Sequence, residues 1–175
     1  MILSKEKTQI IKVIFILYVA LIIYITQFPL HLNFNLNFQN INYNLVPFHI
    51  IFKRYEVIQQ MKDAGYRIDI IANMKIIIQS FGFNIILFLP FGFLLPILNH
   101  NYFSFLKIIT VSFVFSLSIE ILQLIIMIIL ISPSRVFDVD DIIANIIGGI
   151  LGFYVYYFTR KFLFLVQKHK ERHSV

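Results

Sequence analysis

The chain has 175 residues, of which 59% are hydrophobic and 14% are charged, and its formal net charge is +6. This balance is typical of an integral membrane protein rather than a soluble domain, and we expect residues 1–175 to form one transmembrane domain. Cysteine is absent, which excludes disulfides, thiol nucleophiles and thiolate metal sites. The basic residues lie beside hydrophobic segments, so membrane topology explains the positive charge and no nucleic-acid partner is expected.

Four hydrophobic segments predict an all-α integral membrane protein built as a four-helix transmembrane bundle. About 20 helical residues cross the roughly 30 Å of hydrocarbon in a bilayer. The segments of sufficient length run over about residues 9–28, 72–98, 103–131 and 141–164. No small-residue cleavage site follows the first segment, which therefore predicts a retained anchor helix. Pro90 lies in the second segment and frees the carbonyl of Ile86, which a neighbouring helix or water must satisfy.

Two shorter elements are predicted between the first and second segments. Residues 31–38 and 41–45 alternate apolar and polar side chains on either side of Gln39 and Asn40. This alternation predicts a short β-hairpin, with an extended asparagine-rich loop as the alternative. Residues 48–62 carry apolar side chains at helical spacing and are followed by Gly65. That pattern predicts an amphipathic interfacial helix.

The distribution of basic residues predicts the orientation. Four spans put both termini on one side of the membrane, together with nine basic residues: Lys5, Lys7, Lys12, Lys107, Arg160, Lys161, Lys168, Lys170 and Arg172. The other side has six: Lys53, Arg54, Lys62, Arg67, Lys75 and Arg135. This excess favours a multi-pass protein of the bacterial plasma membrane with cytoplasmic termini. The loops with the predicted hairpin, the interfacial helix and Arg135 would then face outward.

Polar residues follow one stripe of the third segment. They occur at spacings of four, four and three residues: Ser112, Ser116, Glu120 and Gln123. With a membrane boundary near Ile131, Glu120 would lie about 16 Å inside it, close to the midplane. A carboxylate at that depth must be neutral, paired or turned toward polar protein, which makes Glu120 a candidate functional residue.

A second stripe follows the start of the fourth segment: Asp141, Asn145, Gly149, Gly152 and Tyr156. The short connection between the segments lets the two stripes face each other. Ala144, Gly148 and Gly152 form a small-residue series that allows close approach of another backbone, and we expect this face to serve any homodimer.

Each of these residues also has a structural interpretation. Asp138 or Asp140 can cap the fourth helix, and a Mg²⁺ or Ca²⁺ site including Asp141 is the alternative. Gln123 and Asn145 can serve as interhelical hydrogen-bonding groups. Arg135 can anchor the loop at the interface.

Four motifs occur in series over about residues 10–158. They are Asn44-Leu-Val-Pro-Phe48, Asn84-Ile-Ile-Leu-Phe-Leu-Pro-Phe-Gly92, Ser116-Leu-Ser-Ile-Glu-Ile-Leu-Gln123 and the segment Arg135-Val-Phe-Asp-Val-Asp-Asp-Ile-Ile-Ala-Asn-Ile-Ile-Gly-Gly149. Together they resemble the VanZ-like family of bacterial membrane proteins, whose founder is associated with low-level teicoplanin resistance. The resemblance implies a small multi-span bundle and a link to cell-envelope antibiotics. Val136 departs from the family pattern, which often has serine there.

Three functions are compatible with these residues. The first is an outward-facing pocket that binds a membrane lipid headgroup or a lipid-linked or lipophilic glycopeptide such as teicoplanin. Its candidate ligand-binding residues are Asn44, Asn84, Glu120, Gln123, Arg135, Asp140, Asp141 and Asn145. The second is an intramembrane enzyme that modifies an envelope lipid, with Glu120 as acid or base and Asp140 or Asp141 assisting. The third is a proton- or ion-coupled carrier, which would require a dimer.

The sequence favours binding over catalysis. It has no cysteine, no G-x-S-x-G elbow and no H-E-x-x-H pair, and the histidines lie outside the four predicted spans. No cofactor and no metal ion are expected.

Overall fold

The computed structural model describes residues 5–27, 43–66, 70–130 and 137–173. These ranges are almost entirely helical, which confirms the all-α class. The predicted hairpin falls largely on residues 28–42, and Arg135 falls on residues 131–136. Arg135 and the predicted hairpin up to residue 42 therefore lie outside the described residues.

The described part of the chain contains six α-helices and two short strands. In chain order they are α1 (Lys5–Gln27), β1 (Tyr43–Asn44), α2 (His49–Asp63), α3 (Ile70–Ile77), α4 (Phe83–Leu98), α5 (Phe105–Leu130), β2 (Phe137–Asp138) and α6 (Val139–His173). A π-helical turn, Ile78–Gly82, joins α3 to α4, and a 3₁₀ turn, His100–Tyr102, joins α4 to α5. The predicted second span, at about 72–98, is therefore helical throughout.

Three of the described helices contain segments long and apolar enough to cross a membrane. These segments are Lys5–Gln27, Phe105–Ile126 and Val139–Glu171, and α4 is a shorter apolar helix. Many of their large apolar side chains face outward, as lipid-facing side chains do. The chain is a membrane protein, while a fourth crossing along α3 and α4 stays a prediction.

Helix α2 agrees with the amphipathic helix predicted at residues 48–62 to within one residue at each end. It ends in a turn in which the Tyr66 N–H donates to the Met61 carbonyl at 2.9 Å. Gly65 adopts a φ of 74° there, a left-handed conformation that glycine accommodates without strain. The interfacial location of this helix stays a prediction.

Glycine residues bring α4 and α6 into backbone contact. A Cβ atom added at Gly152 would lie 1.9 Å from the Leu89 carbonyl oxygen, and one added at Gly148 would lie 2.3 Å from that of Ile85. The small-residue face of α6 is therefore covered by α4 of the same chain. The close approach that this series predicts therefore occurs within one chain, and a homodimer through this face stays a prediction.

Helix α1 packs beside Pro90 of α4. The Tyr18 hydroxyl donates to the Leu87 carbonyl, and the Phe91 backbone also hydrogen-bonds this hydroxyl. A side chain from a neighbouring helix thus binds the backbone near the proline, but its acceptor is Leu87, and a partner for the freed Ile86 carbonyl stays a prediction.

Candidate functional site

Asp138 caps the N-terminus of α6. Its Oδ1 accepts a hydrogen bond from the Asp140 N–H at 2.9 Å, the usual bond between an N-cap side chain and the second residue of a helix. Asp140 and Asp141 follow in the first turn, where the helix dipole favours carboxylates. The capping interpretation is therefore confirmed for Asp138.

Glu120 lies between α5 and the start of α6. Its side chain is only 2% exposed, and its Oε2 accepts a hydrogen bond from the Asp138 N–H at 3.1 Å. Glu120 is therefore level with the first residue of α6, while α5 continues beyond it to Leu130. The depth of Glu120 in the membrane stays a prediction, because α5 continues for ten residues on one side of it and fifteen on the other.

The two polar stripes face each other, as their spacing predicted. The Asn145 Nδ2 donates to the Ser116 Oγ at 2.8 Å, and both side chains are buried. One turn further from Glu120, the buried Ser112 Oγ has no hydrogen-bond partner and would lie 2.2 Å from a Cβ at Gly149. Small residues thus let α5 and α6 approach closely at the level of Ser112 and Gly149.

Asp140 binds the segment that leads into α2. Its Oδ1 accepts a hydrogen bond from the Phe48 N–H, whereas its buried Oδ2 has no hydrogen-bond partner. Phe48 has a φ of 61°, a left-handed conformation that is costly for a bulky residue and that persists only when its surroundings hold it. The Phe48 ring also stacks on Phe81, with centroids 6.1 Å apart.

Residues 43–48 form a cover over the start of α6, and we call them the cover segment. Tyr43 and Asn44 pair in parallel with Phe137 and Asp138. The Asn44 Nδ2 donates to the Asp138 Oδ1 at 2.9 Å. The cover segment therefore holds the acidic helix start by two side-chain bonds and a short β-ladder.

Helix α4 also contacts the start of α6. The Asn84 Nδ2 of α4 donates to the Asp141 Oδ1 at 2.6 Å. We call the carboxyl groups gathered here the acidic cluster: Glu120, Asp138, Asp140 and Asp141. Its surroundings come from α4, α5, α6 and the cover segment, so distant parts of the chain build one site.

Gln123 does not belong to the acidic cluster. Its Nε2 donates to the Thr26 carbonyl at the end of α1, at 2.8 Å, and it therefore links α1 to α5. The adjacent Gln27 is buried, and its Nε2 has no hydrogen-bond partner. Of the eight predicted ligand-binding residues, Gln123 thus lies apart and Arg135 is outside the described residues.

The pKa of Asp138 is raised above its usual value, chiefly because burial removes solvent from the carboxylate and also because the Asp140 charge repels it. Hydrogen bonds from Asp140 and Asn44 and the charge of His49 oppose this rise. Within the described ranges, no three histidine or acidic side chains are arranged to hold a metal ion. The acidic cluster suits a ligand that presents hydroxyl or ammonium donors.

Sequence reasoning missed two features of this site. Asp138 was expected to cap the helix, but the hydrogen bond from its N–H to the Glu120 carboxylate was not expected. The role of Phe48 was missed because its backbone, rather than its side chain, binds Asp140. The signal was present in the Asn44-to-Phe48 motif, whose proline and asparagine mark a defined loop.

Comparison with known proteins gives one family. The family profile described as VanZ/LLP1 matches residues 15–163, which include all the described residues of the acidic cluster and the cover segment. No curated protein and no solved structure matches the chain.

Proposed function

This chain belongs to the VanZ/LLP1 family, and from that premise we propose that it contributes to teicoplanin-type resistance by binding an amphiphile at the acidic cluster. The ligand is a lipophilic glycopeptide or a membrane lipid headgroup, with its hydroxyl or ammonium groups on the carboxylates and its acyl chain along the bundle. The protein lies in the bacterial plasma membrane with the acidic cluster at the outward end.

The buried, unpartnered Oδ2 of Asp140 is the observation that supports binding most directly. A buried carboxylate oxygen without a hydrogen bond is costly, so a donor from a ligand would stabilise the folded protein. The first Asp140 oxygen is held by the Phe48 N–H. The carboxylate is thus oriented before the ligand arrives, which lowers the entropic cost of binding.

The cover segment supplies a route to Asp140. It is largely exposed, and it is held by a short β-ladder, by the Asn44 side chain and by the Phe48 backbone N–H. A ligand that displaces the Phe48 N–H would release the unfavourable backbone conformation of that residue. Both features favour opening of this segment when an amphiphile binds.

The test is teicoplanin susceptibility of cells that express wild type, Glu120→Gln or Asp140→Asn at equal membrane levels. The control is Ser118→Ala, because Ser118 lies on α5 but is exposed and bonds only the Val114 carbonyl of its own helix. We expect the two carboxyl variants to lose resistance and the control to keep it. Unchanged resistance in both carboxyl variants would exclude the acidic cluster as the site.

A second candidate is an enzyme that modifies an envelope lipid with Glu120 as acid or base. The buried Glu120 carboxylate favours it, because its Oε2 is held by the Asp138 N–H and a positioned carboxyl group can act as acid or base. Purified protein would then convert a labelled lipid extract, and Glu120→Ala would abolish the conversion. If folded wild type reconstituted in lipid converts none of the extract, this candidate is excluded.

A further inference from the structure

A cavity lies at the opposite end of the bundle from the acidic cluster. It has a volume of about 320 Å³ and is lined by Phe103, Tyr157, Arg160, Lys161 and Phe164. Four of these residues follow one face of α6, and Phe103 comes from the connection between α4 and α5. The cavity thus combines two cations with three aromatic rings.

Arg160 is held in place by two contacts. Its guanidinium lies over the Phe103 ring, 4.8 Å from the centroid, and its Nη1 lies 3.2 Å from the His100 Nε2. Since a guanidinium can only donate, the imidazole nitrogen accepts this bond. The Phe103 ring is itself stacked on Tyr157, with centroids 6.2 Å apart. The cation is therefore positioned by a packed aromatic wall, leaving further N–H groups for a ligand.

The position of the cavity along α6 matches that of the phosphate layer of a membrane. Arg160 is 21 residues beyond Val139, the first residue of α6. At about 1.5 Å per residue this distance is roughly 32 Å, close to the roughly 30 Å thickness of bilayer hydrocarbon. With the start of α6 at one boundary, Arg160 and Lys161 lie at the other, where lipid phosphates lie.

The surroundings of the two cations suit an amphiphile better than a free ion. Large apolar side chains precede the two cations on the membrane side of α6, and Val155, Tyr157 and Phe158 are 46%, 41% and 61% exposed. Further along, the helix carries Lys168, Lys170 and Arg172 against the single acid Glu171. This end is therefore strongly basic, and apolar surface for an acyl chain adjoins the cations.

We propose that Arg160 and Lys161 bind the phosphate of an anionic phospholipid in the leaflet on the side of the termini. The guanidinium and ammonium groups would contact the phosphate oxygens. The aromatic wall would pack on the glycerol and upper acyl chain. This site is separate from the acidic cluster, and the two would take lipid-like ligands at opposite membrane faces.

The test uses the full-length protein in neutral detergent with short-chain phosphatidylglycerol, short-chain phosphatidylcholine or inorganic phosphate as the probe. Binding is read by native mass spectrometry and by the shift in melting temperature. We expect phosphatidylglycerol to bind at least ten-fold more tightly than phosphatidylcholine, and inorganic phosphate to give no comparable stabilisation. Equal stabilisation by inorganic phosphate would show that the cavity binds a free anion rather than a lipid, and it would overturn the proposal.

Matched variants separate the cavity from general charge. Arg160→Gln with Lys161→Gln removes both cavity cations, whereas Lys168→Gln with Lys170→Gln removes the same charge elsewhere on α6. We expect a ten-fold or larger loss of phosphatidylglycerol affinity in the first pair alone. Equal losses in both pairs, or no loss in the first, would contradict the proposal. If the first pair fails to fold, Lys161→Gln alone must still weaken binding, because its side chain lines the cavity without supporting the Phe103 ring.

Discussion

Individual polar residues between α5 and α6 differ in how well their hydrogen bonds are satisfied. Ser116 accepts from Asn145, whereas Ser112, one turn away and equally buried, has no partner. Removing the Ser116 hydroxyl leaves a buried amide unsatisfied, while removing the Ser112 hydroxyl takes away a group that has no bond to lose. The two serines form a matched pair within one helix.

We expect Ser116→Ala to lower the free energy of unfolding by about 1 kcal/mol, within the range measured for hydrogen bonds between membrane helices. Ser112→Ala should leave it unchanged or raise it slightly. Thermal unfolding of purified protein in detergent measures both. Equal destabilisation by the two substitutions would show that the Ser116–Asn145 hydrogen bond makes no specific contribution to the free energy of unfolding.

The Asp138 carboxyl predicts how stability depends on pH. Burial raises the pKa of this group above its usual 3.8, so the folded protein disfavours the charged form. Its contribution to stability is therefore greatest at acidic pH, and it is lost as pH rises from about 3.8 through the pKa of the folded protein.

Asp138→Asn removes this charge while keeping an oxygen that accepts from Asn44 and Asp140. We expect the variant to gain stability over wild type at pH 7 and to gain less as the pH falls toward 4. Melting temperatures of both proteins across this range test the point. A difference that stays constant with pH would exclude titration of Asp138 as its cause.

The sequence predicted part of the candidate site because helical spacing alone decides which residues share a face. Ser116 and Asn145 are opposite each other for that reason. Spacing could not reveal the bond between Phe48 and Asp140, because these residues are 92 positions apart and one contributes only its backbone. Nor could it reveal the bond from the Asp138 N–H to Glu120, which depends on where α6 begins beside α5.

At the scale of elements, the close packing of α4 and α6 is what brings Asn84 to Asp141. The small-residue series of α6 correctly predicted close approach of another backbone. The series alone could not identify α4 as the partner helix, because the same pattern serves contacts within a chain and between chains. The glycines and carbonyl groups of α4 complete this contact, and residues such as Leu89 give no sign of it in the sequence.

We expect Gly152→Ala to destabilise the protein by about 1–3 kcal/mol or more, because the added methyl group would overlap the Leu89 carbonyl. Gly82→Ala is the control, since its methyl group would meet only the Ile78 Cγ2 at 3.5 Å. That substitution should be neutral or stabilising, because alanine favours helix. Unfolding in detergent compares the two, and a Gly152→Ala variant as stable as wild type would contradict the packing described.

At the scale of the whole molecule, hydrophobic length and charge predicted the membrane class and the helices. The three apolar helices α1, α5 and α6 follow from runs of apolar residues, which lipid requires. The polar ends were harder to predict, since the acidic cluster and the cavity at Arg160 each combine residues from several helices. Their separation by the length of α6 gives the protein two chemically different faces, one with clustered carboxyl groups and one with clustered cations.

The orientation of these two faces is the central claim, because an outward acidic cluster is required for a ligand that arrives from outside. The native chain has no cysteine, so single-cysteine variants can be labelled without background. Tyr43 marks the acidic end and is 68% exposed, while Lys168 marks the basic end and is also exposed. A membrane-impermeant maleimide applied to intact cells should label Tyr43→Cys at once and Lys168→Cys only after permeabilisation. Labelling of Lys168→Cys but not Tyr43→Cys in intact cells would contradict the account.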